Sequence, residues 1–326
     1  MRRRTFIAAV AGAAAWPLAG RTQQSASVPV IGLLSSVPFD ARRDQLAGFR
    51  QGLNEAGLIE GQNVRVEYRS AENQPDRLPA LATGLVENGV AVIVTIGGDI
   101  PILAARSATA SIPIVFVTGG DPVESGFVAS LHRPGGNLTG VTFLPTLLVG
   151  KRVELMHAFV PSGTLGFLVN PRNPNVQSSK TDARAAAQAL GRKLSIAEAA
   201  TEGQIEDAFA ALAGEKVSAL VVEADPFFLA GHKVIVALAM REKLPAIYAF
   251  REFVDAGGLT SYGTSLAEAY RQAAAYAGRI VKGEKPGDLP VVQPVKFDFV
   301  INLKTARALS LMIPPTLIAR ADEVIE

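Results

Sequence analysis

The chain has 326 residues, of which 48% are hydrophobic, 19% charged and only 6% aromatic, enough for two cores of ordinary size. A formal charge of +2 with no basic block beyond the N-terminus gives nucleic-acid binding little electrostatic support. Cysteine is absent, which excludes thiol catalysis, disulfides and zinc-thiolate sites.

The N-terminus reads "MRRRTFIAAVAGAAAWPLAG": Arg2, Arg3 and Arg4 form a basic region, followed by an apolar stretch from Phe6 to Ala19. This stretch is shorter than the roughly 20 apolar residues of a spanning helix and fits a signal peptide over residues 1–22, removed on export. Arg3-Arg4-Thr5-Phe6-Ile7 also fits a twin-arginine signal, the general secretory route being the other option. Residues 1–22 carry four Arg and no acid, so their removal takes the formal charge from +2 to −2. The expected product is a periplasmic protein that does not span the membrane.

From Val28 the pattern alternates. Strand 28–34 precedes a helix whose Leu46, Phe49 and Leu53 share one face, stopped by Gly57. Strand 63–69 alternates Val64, Val66 and Tyr68; a helix at 75–88, strand 90–97, a helix at 101–109 and strand 112–119 follow. A helix is expected from Pro122, and "LTGVTF" (138–143) closes the series. The second half repeats the plan with strands at 165–170, 193–199, 218–224 and 244–250, and helices at 146–159, 175–190, 203–213 and 230–242. A coda adds strand 258–263, a long helix at 264–282 and the extended "VVQPVKFDFVIN". Strands alternating with helices predict an α/β fold of two doubly wound, Rossmann-like lobes with parallel sheets, since the restart near residue 143 and the coda argue against a closed barrel.

Asp121-Pro122 and Asp225-Pro226 each follow a buried run, one in each half. In open α/β sheets ligands sit beyond the carboxyl ends of the strands. An Asp-Pro step there serves as N-cap and N1 of a helix and also aims a carboxylate into the crevice. Both roles are open at this point.

Catalytic signatures are missing. His132, His157 and His232 show no metal-ligand spacing, and there is no nucleophile elbow or phosphate loop. "GGD" at 97–99 and "TGGD" at 118–121 do not make a dinucleotide fingerprint. No base-plus-nucleophile set emerges, so the chain reads as a binder without cofactor or metal, and not as an enzyme.

The run "PIVFVTGGDPVESGFVASLHRPGGNLTGVT", with "EADPFF", "GTSLAEAYRQAAAYAGRIVKGEKPGDLPV" and the tail "FDFVINLKTARALSLMIPPTLIARADEVI", resembles the ABC-transporter substrate-binding proteins of the tryptophan/tyrosine type, from Val28 to Ile325. The resemblance implies the type I periplasmic binding protein fold, with crossovers near Val141–Thr146, Ala256–Leu259 and Leu289–Gln293. Lobe 1 would comprise 28–142 plus 258–288, and lobe 2 would comprise 143–257 plus 289–326. It also implies a monomer that captures a small molecule between the lobes and delivers it to an ABC permease in the inner membrane. The ligand would be an amino acid, aromatic in the family, or a related organic acid. The alternative is a periplasmic sensor that reports its ligand to a membrane receptor.

By the same resemblance, ligand residues come from loops after strands. They would be Ser35, Ser36 and Phe39; Gly98 and Asp99; Thr118, Gly119 and Asp121; Asn170 and Asn173; Asp225 and Phe227; Phe250, Arg251 and Glu252; and Tyr262. Ser35, Ser36 and Thr118 would serve a carboxylate, Asp225 (or Asp121) an ammonium, and Phe39, Phe227, Phe250 and Tyr262 an apolar wall. Ala224-Asp225-Pro226 departs from the family's Thr-Asp-Asn step: it keeps the carboxylate and loses the polar groups beside it.

Overall fold

The structure is a computed structural model that describes residues 28–143, 148–293 and 297–326. The expected signal segment lies outside the described residues.

The first half opens with β1 (Val30–Ser35), α1 (Arg43–Glu55), β2 (Arg65–Ser70) and α2 (Leu78–Glu87). It continues with β3 (Val92–Ile96), α3 (Asp99–Ala108), β4 (Ile114–Thr118) and β5 (Leu138–Thr142). The five strands form one parallel sheet in the order β2-β1-β3-β4-β5. Strands β3, β4 and β5 are buried along their whole length, which is why they read as unbroken Val/Ile-rich runs: a parallel sheet is covered on both faces.

The second half contains α4 (Val149–Phe159), β6 (Thr164–Val169), α5 (Val176–Ala189), β7 (Leu194–Glu198), α6 (Glu202–Gly214) and β8 (Val217–Val222). Then come α7 (Pro226–Ala230), α8 (His232–Arg241), β9 (Ala246–Tyr248), α9 (Arg251–Asp255) and β10 (Thr260–Gly263). After α10 (Leu266–Val281) the chain adds β11 (Asp298–Asn302), α11 (Leu303–Ala308), α12 (Pro315–Ile318) and β12 (Glu323–Ile325). The second sheet runs β12-β11-β10-β9-β8-β6-β7 and is parallel except at the β10–β11 pair. Its core order, β7-β6-β8-β9-β10, reproduces that of the first sheet, with β11 and β12 added at the edge. In each half the strand order reverses at one point, between β1 and β3 and between β6 and β8, and that is where a ligand crevice is expected.

Two expectations need correction. Residues 122–126 form turns, not a helix: Asp121 Oδ1 accepts from Val123 N (2.8 Å) and Glu124 N (3.2 Å), so it caps a turn that goes no further. Strand 258–263 does not return to the first lobe: β10 hydrogen-bonds with β9 and β11 in the second sheet, and the crossing lies after it.

A reciprocal exchange ties the halves together. Helix α4 follows the last strand of the first sheet but packs on β8 and β9 of the second. Helix α10 follows β10 of the second sheet but packs on α1 and on β3, β4 and β5 of the first. The α1–α10 contact is close because small residues face each other: Gly48 and Gly52 on α1 lie against the backbone at Ala267 and Arg271, leaving no room for a β-carbon. A third crossing passes Val292, which bridges to Val141 of β5. Residues 144–147 and 294–296 on the first and third crossings lie outside the described residues.

Candidate functional site

The carboxyl ends of the two sheets face each other across a cleft holding two adjoining cavities of about 520 and 550 Å³, counting their open mouths. Both have the volume of a metabolite pocket. Gly97, Gly98, Asn173, Asp225 and Pro226 line both, so the cavities are neighbouring compartments of one crevice.

The first compartment is mostly apolar, with Val117, Phe143, Leu229, Phe250 and Leu266 in its wall. Phe143 comes from the end of β5 and Phe250 from the end of β9, and their rings meet edge-on at 6.1 Å. Polar atoms enter it from Arg42 and Tyr270 on the first-half side and from Asn173, Asn175 and Asp225 on the other. The second compartment is lined by more polar side chains, among them Ser36, Asn73, Asp99, Asn170 and Arg172, together with Phe227.

Asp225 sits between the two. It is the N-cap of α7, with Pro226 in the first turn, and only 3% of it is exposed. Its Oδ1 accepts from Phe227 N (2.9 Å), Phe228 N (3.1 Å) and Asn170 Nδ2 (3.2 Å). All three bonds fall on one oxygen, and none of them involves Oδ2. The Asp-Pro step is therefore both a cap and a carboxylate in the crevice, whereas its counterpart Asp121 is only a cap, and exposed. Burial pushes the Asp225 carboxyl up to about 6; the bonds from Asn170, Phe228 and Phe227 pull the other way. Behind it, Glu223 accepts the Asn170 backbone N–H at 2.9 Å, and burial together with the nearby Asp225 charge pushes its carboxyl up to about 8. Arg152, wholly buried on α4, feels the Glu223 charge, yet desolvation lowers its pKa to about 10.

Contacts between the halves hold the crevice shut. Asn175 Nδ2 donates to Asp99 Oδ2 at 3.1 Å, while Thr118 Oγ1 donates to Asp99 Oδ1. Gln45 Nε2 donates to Glu252 Oε1 at 2.5 Å. Gly98, at φ +92°, faces Pro226 so closely that a β-carbon would stand 3.2 Å from the proline ring.

The cavities thus gather nine of the expected residues: Ser36, Gly98, Asp99, Gly119, Asn170, Asn173, Asp225, Phe227 and Phe250. The other seven line neither. Ser35 donates to Val37 O (2.7 Å) and Thr118 to Asp99, so both hydroxyls are spent inside the chain. Ser36 reaches the second compartment, but its hydroxyl is donated to Gly97 O at 2.6 Å. Phe39 packs edge-on against Tyr68 (5.3 Å), and Tyr262 against Phe297 and Phe299 (6.1 and 6.2 Å). Arg251 pairs with Asp255 (3.2 Å) and Glu323 (3.0 Å) on the surface, and Glu252 is held by Gln45. Asp121 is the seventh.

Arg42, Phe143, Asn175, Leu266 and Tyr270 were not foreseen. Asn175 belongs to "NPRNPN", whose repeated Asn residues signal a loop full of side-chain bonds. Arg42 lies in the charged run "DARRDQ", which by itself reads as a solvated surface.

A two-lobed α/β fold closed over a crevice at both switch points defines a ligand-binding protein. A family model for ABC transporter substrate binding proteins matches residues 30–325, and the chain belongs to that family. The tyrosine-binding protein of Clostridioides difficile is 26% identical over 282 residues, 86% of this chain and 81% of that protein. An ABC domain from Streptococcus pneumonia in complex with L-Trp is 26% identical, superposes with a TM-score of 0.82, and matches over 92% of this chain and 100% of its own. A ligand-free, open substrate-binding protein with adhesive properties from Clostridium difficile is 25% identical, with a TM-score of 0.66 over 92% of this chain and 99% of its own. The fold is that of the type I periplasmic binding proteins. The closer fit to the ligand complex than to the open structure agrees with the contacts that shut the crevice here.

Proposed function

We propose that the protein is exported by its first 22 residues and works as a monomeric periplasmic binder. It captures an amino acid with an aromatic side chain and hands it, without turnover, to an ABC importer in the inner membrane. One observation carries the amino-acid reading: a buried carboxylate, Asp225, turns an uncommitted oxygen into a crevice whose first compartment is walled by Phe143, Phe250, Leu229 and Leu266. A ligand ammonium would meet the Asp225 oxygen, and an aromatic ring would lie against the apolar wall. The relatives named for tyrosine and solved with L-Trp support the same class of ligand.

A thermal-shift screen of the purified protein against tryptophan, tyrosine, phenylalanine, aliphatic amino acids and sugars tests this. The only Trp, Trp16, falls in the signal segment, so an extrinsic dye is the suitable reporter. A ligand at about a hundred times its dissociation constant adds roughly 2.7 kcal/mol of stability. A shift with the aromatic amino acids supports the reading; a shift only with sugars overturns it.

A further inference from the structure

Arg42 stands immediately before α1, at its N-cap, and is 3% exposed. Its NH1 lies 3.4 Å from the Tyr270 hydroxyl and its NH2 lies 3.5 Å from the Pro226 carbonyl across the crevice; both are long, neutral contacts. Its Nε is buried with no hydrogen-bond partner. Among the described residues no carboxylate lies within ion-pair distance, 4.0 Å, of this guanidinium. The acids that feel its charge are engaged elsewhere: Glu252 accepts from Gln45, and Asp225 Oδ1 accepts three bonds within its own half. Burial raises both carboxyls in spite of the arginine.

A buried cation without a contact counter-ion is costly, and arginine does not escape the cost by losing its proton. Yet the fold takes trouble to place this one. The close α1–α10 contact brings Tyr270, on α10, against Arg42 and turns the guanidinium toward the first compartment, which it lines. Asp225 lines the same compartment from the opposite half. The two charges face one cavity from two bodies and do not form a contact pair with each other.

We propose that Arg42 is the residue that recognises a carboxylate on the ligand, so that a bound molecule carries its carboxylate toward the first half and any ammonium toward Asp225 in the second. This rests on the crevice being the ligand site, as proposed above, but not on the ligand's being an amino acid. The guanidinium's planar fork suits a bidentate carboxylate, and the ligand's charge would supply the contact counter-ion that the described residues do not. Binding would then also favour closure, because the groups that neutralise the two ends of the ligand belong to different halves.

The test is isothermal titration of the wild-type protein with tryptophan, tryptophanamide, tryptamine and indole-3-propionate, repeated with Arg42→Gln and Arg42→Lys. Expected is a roughly 10- to 150-fold loss when tryptophan is replaced by its amide, a loss that largely disappears in Arg42→Gln. If the substitution and the amide act independently, so that their losses multiply, Arg42 does not meet the carboxylate. The wild-type comparison of acid with amide stands even if Arg42→Gln does not fold: an amide that binds as well as the acid overturns the proposal and leaves the amino-acid reading intact. Indole-3-propionate binding in an Arg42-dependent way, with no response to any amino acid, upholds Arg42 and overturns the amino-acid reading. A protein that binds none of these carboxylates overturns the assignment.

Discussion

Asn175, from the loop after β6, donates a hydrogen bond to Asp99 at the start of α3, so the rims of the two sheets are joined by one side-chain pair at 3.1 Å. The acceptor is well suited to the position. Its second oxygen is occupied by Thr118, and burial raises its pKa while the bonds from Thr118 and Asn175 oppose the rise. The bond joins residues of different halves, so moving the halves apart would break it.

Asn175→Ala should therefore shift the protein toward the open form without unfolding it. The loss of one such bond is worth about 0.5–1.5 kcal/mol. Ligand affinity should fall by roughly 2- to 13-fold, and the radius of gyration of the ligand-free protein in solution scattering should rise. An unchanged radius with unchanged affinity would show that the pair contributes nothing to closure.

Two substitutions separate the cap that Asp225 makes from the ligand contact proposed for it. Asn is as good an N-cap as Asp, so Asp225→Asn should keep α7 in place while removing the charge. Affinity for an amino acid should fall by about 2–4 kcal/mol, with thermal stability little changed. Asp225→Ala should lose the affinity and, in addition, about 1 kcal/mol of stability from the cap. Isothermal titration and calorimetric melting read the two effects apart.

Binding should depend on pH in a direction the buried carboxyls set. Asp225 and Glu223 are raised to about 6 and about 8, so the folded protein retains protons that the unfolded chain, with ordinary carboxyls near 4, has released. Their contribution to stability is therefore greatest below pH ~4 and declines as pH rises through 6 and then 8. A ligand ammonium needs ionised Asp225, so affinity should change the other way and fall about tenfold per unit as pH drops below 6. Titrations at pH 5 and 7.5 should show the difference, and Asp225→Asn should flatten it.

Gly52 allows α1 to lie against α10, and a methyl group there would be driven into the Arg271 carbonyl. Because a backbone atom cannot rotate away, Gly52→Ala should destabilise by about 1–3 kcal/mol, despite the better helix propensity of alanine. Chemical denaturation measures it directly. A more stable variant would mean that the helices separate at little cost.

How far the sequence carried this reading depended on whether the deciding contacts were local. Buried strands announce themselves through Val/Ile runs, and the Asp225-Pro226 cap through its own two residues, because both depend on neighbours in the chain. Strand β10 belongs to the second sheet against expectation, because nothing in "LTSYG" names its partners; pairing with β9 and β11 depends on a crossing after it, not before. Arg251-Glu252 looked like ligand chemistry in a strand-end loop, but Asp255 is one helical turn on and Glu323 arrives from the far C-terminus. Arg42 is the converse case, since the charged run around it reads as solvated surface. What buries it is Tyr270 and Pro226, some two hundred residues away in the sequence, and no local pattern records them.

The exchange of helices between the halves also governs the order in which the molecule can be completed as it leaves the ribosome. The β3–β5 face of the first sheet is finished early but waits for α10, which ends at Val281. Until then an apolar surface is exposed on a nascent chain whose second half is still being made. A fragment ending after β5 should accordingly be sticky and need chaperoning, and cutting the gene between the halves would leave the first sheet without α10 and α10 without the sheet it covers. The first half is completed only when α10 arrives at Val281, and the second only when β12 (Glu323–Ile325) joins its sheet, so the first sheet stays uncovered through most of the synthesis of the second half.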